Sequence, residues 1–258
     1  MFDLVSIIIL SLDRIEFTNR VLETLAVTRG AFEVVLVDNG SSIETVERLR
    51  ALEGSHLAGQ LKLRCVFNDH NPGVATGRNQ GASLASGDCL LFLDNDVEIV
   101  ATDWLQRLLQ VYTAFPKAGV VGGTLLNPDR SIQFAGGTVD TRGQVHFNTE
   151  LGLEFRPTMF CLGACFSTPR DCWEAVGGFD TAYNPMDYED VDYCLRAQQL
   201  ERPSVVALES RLIHQGHVTT GTVGFSRLRH YLCSGRKFRK RWQHLLLEAS
   251  PASGRENS

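Results

Sequence analysis

The sequence predicts an α/β protein with a doubly wound, mostly parallel central sheet flanked by helices. Apolar, β-branched segments alternate with helical patterns in the first hundred residues, at 5–10, 32–37 and 61–67. A fourth segment, 90–93, is wholly apolar, as is typical of a strand covered on both faces. Such alternation predicts parallel strands joined by crossover helices.

Helical spacing and turn residues place a helix between successive strands. The first helix, about 15–28, carries apolar residues on one face. The second follows a polar, Gly-containing turn at 38–42. The third, 74–87, is rich in Ala, Gly and Ser, so its backbone is expected to approach the sheet closely.

The pattern changes in the second half of the chain. After a helix near 103–115, the Gly-rich segment 120–140 predicts hairpins or edge strands and hence a small antiparallel sheet. The remaining predicted elements are a buried strand at 159–167, a helix beginning near 189, a short strand at 203–208 and a basic helix at 225–247. The final residues, 249–258, have a disordered composition.

Composition excludes several classes of protein. The 258 residues carry a net charge of -5, which does not indicate nucleic-acid binding. No apolar run approaches the roughly 20 residues of a membrane span, and the first residues lack the basic segment of a signal peptide. Seven scattered cysteines without a Cys-x-x-Cys pair indicate reduced thiols. We therefore expect a cytoplasmic protein.

Two carboxylates, Asp94 and Asp96, follow the wholly apolar strand directly. Ligands of open α/β sheets bind outside the carboxyl ends of the strands, and an ionised carboxylate there needs solvent, a partner or a metal. Carboxylate oxygens suit Mg²⁺ or Mn²⁺, which commonly share their ligand shell with substrate phosphates. The alternative is a polar turn in which an Asp caps the next helix.

Two other turns carry polar residues where a nucleotide is expected. Asp38 ends the second strand before a Gly-containing turn, although an Asx turn would also explain the serines that follow. Arg78 and Asn79 lie in the first turns of the helix at 74–87, where a diphosphate could bind. The alternative is a tightly packed helix with a solvated Arg.

Acidic residues cluster at the start of the helix near residue 189. Asp187, Glu189, Asp190 and Asp192 fall within six residues, which is more than the helix dipole requires. This dipole is expected to lower the pKa of Asp190 in the first turn. The cluster therefore predicts chemistry as well as helix stabilisation.

The last part of the chain has two further features. His214 and His217 flank Gly216, an arrangement suited to metal or phosphate, although a single His is more often structural. The helix at 225–247 is basic and could lie on an anionic membrane or present a solvated face. Its second half contains Arg236, Lys237, Arg239, Lys240 and Arg241.

Seven motifs connect these features: VSIIILSLDR, VVLVDNGS, NPGVATGRNQG, FLDND, GGFD, EDVDYCLR and IHQGHVTTG. In this order they resemble the family 2 glycosyltransferases of the GT-A fold, especially the rhamnosyltransferase-like group, over roughly residues 4–242. The resemblance implies one GT-A domain with a Rossmann-like sheet and a small antiparallel sheet on the acceptor side. The first motif departs from the family pattern, because Leu12 and Asp13 replace an aromatic residue and Asn.

The resemblance implies roles on the donor side. The donor would be a UDP- or dTDP-linked sugar, with Asp38 accepting a hydrogen bond from the base. A divalent metal, Mn²⁺ or Mg²⁺, would be held by Asp94, Asp96 and His214, with His217 as the next candidate. The implied nucleotide-sugar-binding residues are Ser11, Asp38, Asn71, Gly73, Arg78, Asn79, Asp94 and Asn95.

The resemblance also implies roles on the acceptor side. Direct displacement with inversion needs a carboxylate that takes the acceptor proton; this base would be Asp190, with Glu189 positioning the acceptor. Gly178, Phe179 and Asp180 would lie in the acceptor loop. The acceptor would be a glycan, a lipid-linked molecule or a protein. The subgroup favours dTDP-rhamnose as donor, and one sugar would be added.

The implied domain organisation is a glycosyltransferase domain at 1–224, a basic helix at 225–248 and a disordered tail at 249–258. Within the domain, about 1–100 would bind the nucleotide sugar and about 101–224 the acceptor. Peripheral contact with the inner face of the membrane is a second expectation for localisation. Other functions stay open: a haloacid-dehalogenase-type phosphatase using Asp94, a nucleotidyltransferase, or an inactive module that binds nucleotide or glycan.

Overall fold

The computed structural model describes residues 2–53, 55–152, 154–216 and 225–248. The strands in these ranges are β1 (Val5–Ser11), β2 (Phe32–Asp38), β3 (Leu63–Phe67), β4 (Cys89–Asp94), β5 (Val97–Ile99), β6 (Val120–Leu126), β7 (Ile132–Phe134), β8 (Gly137–Val139), β9 (Val145–Phe147), β10 (Phe155–Thr158), β11 (Cys165–Pro169) and β12 (Ser204–His214). The helices are α1 (Ile15–Leu25), α2 (Ile43–Glu53), α3 (His56–Leu61), α4 (Val74–Leu84), α5 (Trp104–Ala114), α6 (Arg170–Val176), α7 (Glu189–Gln199) and α8 (Phe225–Glu248), with a 3₁₀ turn at Thr181–Tyr183. His217 and the tail at 249–258 lie outside the described residues.

Four parallel strands in the order β3-β2-β1-β4 form the first half of the central sheet. β1 lies between β2 and β4, with Ser11 opposite Asp38 and Leu10 opposite Asp94. The carboxyl ends of these strands therefore lie at one edge of the sheet. This arrangement confirms the predicted α/β fold and brings the polar residues after each strand together.

The second half of the sheet is mixed. β11 runs antiparallel between β4 and β6, and β12 lies parallel to β6. The segment 120–140 forms the predicted hairpin, β6–β7, and its last strand, β8, pairs with β9 in a separate antiparallel sheet. The expectation of edge strands is wrong for β6, which lies inside the central sheet because its residues are apolar and buried.

The strand predicted at 159–167 begins later than expected. β11 starts only at Cys165, because Cys165 N donates to Leu162 O and closes a turn before it. The turn brings Gly163 against the guanidinium of Arg78. By contrast, β12 is longer than predicted and continues to His214.

Small residues and aromatic rings pack the helices on the sheet. A Cβ at Gly81 of α4 would lie 2.5 Å from Ile8 Cγ2, so the predicted close approach of this helix is confirmed. Five aromatic rings hold α6 and α7 against β4 and β11, with centroids 4.9–5.8 Å apart in the contacting pairs. These rings are Phe92, Phe166, Trp173, Phe179 and Tyr193.

One face of α8 packs on the rest of the domain. Phe238, Trp242 and Leu246 recur every four residues and are buried. The opposite face carries exposed cations, which fit both a solvated face and a face that lies on an anionic membrane. None of the helices in the described ranges has both the length and the apolar character to cross a membrane.

Candidate active site

Asp94, Asp96 and His214, here called the metal cluster, meet at the end of the central strand. β5 pairs antiparallel with the end of β12, and Gln215 N donates to Asp96 O at 3.1 Å, which brings His214 beside both carboxylates. His214 Nε2 lies 3.3 Å from Asp96 Oδ1 and 3.9 Å from Asp94 Oδ2. One ligand atom from each residue lies within 4.8 Å of the others, a separation that a single cation can bridge.

Gln133 on β7 fixes the orientation of the His214 ring. His214 Nδ1 lies 2.6 Å from Gln133 Oε1, so in the neutral imidazole Nδ1 carries the hydrogen and Nε2 faces the carboxylates. Gln133 Nε2 donates to His214 O. Burial acts to lower the pKa of His214, but the hydrogen bond and charge of Asp96 and the charge of Asp94 raise it above its ordinary value. In the charged imidazolium Nε2 also carries a proton, and a metal bound at Nε2 would displace it.

Arg78 connects the metal cluster to the acidic residues of α7. Its side chain is buried, and Nη2 donates to Asp94 Oδ1 at 2.7 Å and to Gly163 O at 3.2 Å. Nη1 donates to Glu189 Oε1 at 3.0 Å. Three protein acceptors thus occupy N–H donors of the guanidinium, which the sequence analysis assigned to a diphosphate. The geometry favours a role in holding two carboxylates in place.

Glu189 and Asp190, here called the acidic pair, begin α7 beside Arg78. Glu189 is 6% exposed, and its Oε2 has no hydrogen-bond partner among the described residues. Burial and the charge of Asp190 raise the pKa of Glu189 to about 8, although Arg78 opposes this. The carboxyl group of Glu189 therefore ionises less readily than that of a solvated Glu.

Asp190 is more accessible than its neighbour. Its carboxylate accepts hydrogen bonds from Gly163 N at 2.9 Å and Val191 N at 2.8 Å. Burial nevertheless raises the pKa of Asp190, because it outweighs these hydrogen bonds and the charge of Arg78. The backbone N–H groups at the start of the helix do act to lower this pKa, but burial outweighs them and the net direction is upward.

The backbone before the acidic pair has an unusual conformation. Asp187 and Tyr188 have φ values of 74° and 72°, in the left-handed region that is unfavourable for residues with side chains. The ring of Tyr188 lies 5.0 Å from that of Phe238 on α8, and its hydroxyl donates to Tyr231 Oη at 3.2 Å. These contacts help to hold the turn that starts α7 beside Arg78.

Asp38 and Asn39 organise the loops after β1 and β2. The buried carboxylate of Asp38 accepts hydrogen bonds from the backbone N–H and the hydroxyl of Ser41, as in the Asx-turn alternative. Asn39 Nδ2 donates to Asn71 Oδ1 at 2.9 Å and to Gly73 O at 3.3 Å. The structure thus gathers three of the predicted donor-side residues around one group of loops.

Ser11 and Asn95 meet in a buried contact with Thr18. Ser11 Oγ lies 2.9 Å from Thr18 Oγ1, and Asn95 Nδ2 donates to the same oxygen at 3.0 Å. All three residues are buried. They join β1 and α1 to the turn between Asp94 and Asp96, so their side chains support the metal cluster.

The predicted acceptor-loop residues have structural contacts. Asn79 Nδ2 donates to Phe179 O at 2.8 Å, and Phe179 N donates back to Asn79 Oδ1 at 2.9 Å. The Phe179 side chain is buried in the aromatic cluster, and Gly178 is buried beside it. Asp180 pairs with Arg241 on α8 at 2.6 Å. These side chains hold the loop in place, and Asn79 joins it to α4.

Sequence reasoning did not single out Gln133, Thr18 or Asn39. Gln133 lies in a short strand without a motif, 81 residues before its partner His214. Thr18 lies on a helix whose pattern is defined by apolar residues, so the pattern gives no signal for a buried hydroxyl. Asn39 had a usable signal, because it follows Asp38 inside a recognised motif.

The fold is of the GT-A class. The mannosyltransferase PcManGT from Pyrobaculum calidifontis, solved in complex with GDP-Man and Mn²⁺, has this fold, with a TM-score of 0.68. At 17% identity the match covers 94% of this chain and 68% of that one, and it is evidence for the fold. The sequence model of glycosyl transferase family 2 matches residues 6–176, and the chain belongs to this family.

Two relatives extend the comparison. The chain is 33% identical over 225 residues to the O-antigen biosynthesis protein RfbC of Myxococcus xanthus, covering 81% of this chain and 17% of that protein. It is 30% identical over 182 residues to the glucosyl-dolichyl phosphate glucuronosyltransferase of Haloferax volcanii, covering 66% and 53%. The chain therefore spans about a sixth of one relative and half of the other. Family membership sets aside the phosphatase and nucleotidyltransferase alternatives.

Proposed function

We propose that the chain transfers one sugar from a nucleoside-diphosphate sugar to an acceptor hydroxyl, with inversion at the anomeric carbon and assistance from a divalent metal. The observation that carries this proposal is the buried Arg78, which joins the metal cluster to the acidic pair. It sets a candidate site for a metal and diphosphate beside carboxylates that can take a proton. Family membership supports glycosyl transfer as the reaction.

The metal cluster has a donor set that fits a divalent cation. Two carboxylates supply hard oxygen ligands, and the imidazole nitrogen of His214 favours Mn²⁺ over Mg²⁺. Gln133 already orients Nε2 toward the carboxylates. When bound, the metal would offset the negative charge of the leaving nucleoside diphosphate.

We assign the binding of the donor's nucleobase to the loops around Asp38. A carboxylate there can accept the N3–H of uracil or thymine, which supports UDP or dTDP as the nucleotide. The rhamnosyltransferase-like motifs favour dTDP-rhamnose among these donors. Asn71 and Gly73 lie in the same group of loops and are proposed to line this part of the site.

Asp190 is proposed as the base of the reaction. Its carboxylate takes the proton of the acceptor hydroxyl while that oxygen attacks the anomeric carbon and the bond from carbon to the diphosphate breaks. Asp190 suits this role because it is less buried than Glu189, which also has one oxygen on Arg78. Glu189 Oε2 is proposed to hold the acceptor.

The proposed site draws on both halves of the chain. We retain the division into a nucleotide-sugar half at about 1–100 and an acceptor half at about 101–224. However, His214 and Gln133 come from the second half and complete the metal cluster of the first. Donor binding is therefore proposed to depend on the pairing of β5 with β12.

Mn²⁺ should strengthen the binding of the nucleotide, and Asp96→Ala should remove that gain. Asp96 supplies the buried carboxylate closest to His214 Nε2, so the variant lacks the ligand that best connects the cluster. The measurement is calorimetric titration of UDP, dTDP and GDP, each in Mn²⁺ and in EDTA. If GDP binds most tightly, the proposal that the nucleotide carries uracil or thymine is overturned.

Asp171→Ala is the matched control for this experiment. It removes an exposed carboxylate that pairs with Arg202 near the opposite edge of the sheet, so the full effect of Mn²⁺ should remain. Equal affinity in Mn²⁺ and EDTA for the unmodified chain would contradict the metal proposal. Nucleotide binding without transfer to any acceptor would favour the inactive module.

We further propose that the exposed face of α8 lies on an anionic membrane that carries a lipid-linked acceptor. Arg229, Arg236 and Lys240 recur at helical spacing, with Leu232 among them, and all four are exposed. The sequence from 225 to 247 has no acidic residue. Cations beside an exposed apolar side chain suit an anionic lipid surface.

Reversing the charges of Arg229, Arg236 and Lys240 to Glu should weaken vesicle binding by at least about a hundredfold, since loss of each cation alone costs about 1 kcal/mol and the new carboxylates are repelled. The measurement is co-sedimentation with vesicles containing anionic lipid, at low and high salt. The control reverses three exposed cations elsewhere: Arg48, Lys117 and Arg130. Binding that ignores both anionic lipid and salt would refute the membrane contact.

A further inference from the structure

Asp192 is a fully buried carboxylate in the first turn of α7, two residues after Asp190. It is 0% exposed, and its oxygens accept hydrogen bonds from three side chains. Trp242 Nε1 donates at 2.9 Å, Tyr183 Oη at 3.1 Å and Arg196 Nε at 2.8 Å. Arg241 forms an ion pair with the same carboxylate, with Nε 3.4 Å from Oδ1.

These four side chains belong to three elements that meet at the carboxylate of Asp192. Arg196 belongs to α7 itself and Tyr183 to the 3₁₀ turn, whereas Trp242 and Arg241 belong to α8. A buried ionised carboxylate is stable only when such partners are in place. The position of the first turn of α7 is therefore tied to the docking of α8.

α8 also holds the segment on the other side of the acidic pair. Ser234 Oγ donates to Met186 O at 3.0 Å, and Phe238 packs on the ring of Tyr188. Tyr188 is one of the two residues in the left-handed conformation that lead into α7. The backbone is thus fixed by α8 both before Glu189 and after Asp190.

We propose that Trp242 is a positioning residue for the reaction, acting through Asp192 on the orientation of the acidic pair. The indole N–H of Trp242 holds the carboxylate of Asp192, two residues beyond Asp190 on α7, so its proposed effect on the acidic pair is indirect. The inference deepens the proposed function, since it assumes that the acidic pair serves sugar transfer. Nucleotide affinity is expected to stay unchanged, because the hydrogen bond of Trp242 is to Asp192 and involves neither the metal cluster nor the Asp38 loops.

The test is Trp242→Phe, which keeps an aromatic ring in the pocket and removes the N–H donor. We expect kcat to fall about tenfold or more, because small misplacements of reacting groups are costly, with the dissociation constant and stoichiometry for UDP or dTDP unchanged. The stoichiometry shows that every molecule is folded, so kcat is counted per binding-competent site. Trp104→Phe is the matched control, since it removes another buried indole hydrogen bond, to Thr28, away from the acidic pair.

The outcomes separate the two proposals. An unmodified chain that transfers sugar, with Trp242→Phe as active as Trp104→Phe, would overturn the positioning role and leave the proposed function standing. An equal loss of kcat in both variants would also overturn it, because the effect would then reflect general loosening. Absence of transfer by the unmodified chain with every donor and acceptor offered would instead count against the proposed function.

Discussion

The Asp190→Asn variant should transfer sugar about 10²- to 10⁴-fold more slowly than the unmodified chain, with nucleotide affinity little changed. Asparagine nearly conserves the volume of the side chain and keeps one acceptor oxygen, so it can accept one of the two hydrogen bonds that Asp190 receives from Gly163 N and Val191 N. Its amide group cannot accept the other, and it cannot take a proton from the acceptor. The nucleotide affinity, measured beside the rate, therefore shows whether the loss is confined to the acidic pair.

The measurement is the transfer rate under saturating donor, together with a calorimetric titration of the nucleotide. Glu189→Gln is the comparison, and it should lose less, mainly through a higher acceptor KM. The base must be ionised, so the rate should rise with pH. Because burial raises the pKa of Asp190, that rise should begin above the pH at which a solvated Asp ionises. Full activity of Asp190→Asn with an inactive Glu189→Gln would exchange the two roles.

The Arg78→Met variant should lose about 3–5 kcal/mol of unfolding free energy, because it leaves the buried carboxylate of Glu189 and the half-buried one of Asp94 without their cation. Arg78 is 4% exposed and joins Asp94 to Glu189. Methionine fills part of the volume of the Arg78 side chain but has no hydrogen-bond donor and no charge. Urea denaturation followed by circular dichroism measures the effect.

Arg20→Met is the control for charge removal, since Arg20 pairs with Glu98 at 2.8 Å while its own side chain is 58% exposed. Such a pair contributes at most about 1 kcal/mol. Combining Arg78→Met with Glu189→Gln should recover part of the stability, because the buried uncompensated charge is then absent. A loss in Arg78→Met no larger than in Arg20→Met would show that Arg78 is not the electrostatic centre of the site.

The parallel half of the fold could be read from the sequence, because each of its strands is a local pattern. The runs at 5–10 and 32–37 predict β1 and β2 to within one residue. β6 is different, because its place inside the sheet depends on β12, which begins at Ser204. The local sequence of an apolar strand does not show whether the strand has one neighbour, at an edge of the sheet, or two, inside it.

The site was predicted in its residue types more than in its contacts. Asp94, Asp96 and His214 do lie together, because strand ends that carry polar residues converge at one edge; their role as ligands stays a prediction. The partners of Arg78 and Phe179 could not be read from the sequence. A motif gives the residue, but whether an Arg meets a phosphate or a carboxylate depends on long-range packing.

Because α8 lies near the end of the chain, the parts of the site form in a definite order during synthesis. While the chain is being synthesised, the four parallel strands are complete once residue 94 has been made, and the metal cluster once His214 has been added. Trp242 comes later still. A nascent chain would then acquire the proposed nucleotide site before its acidic pair is held in place. If the proposed function is correct, an unfinished polypeptide could bind a sugar donor without transferring the sugar.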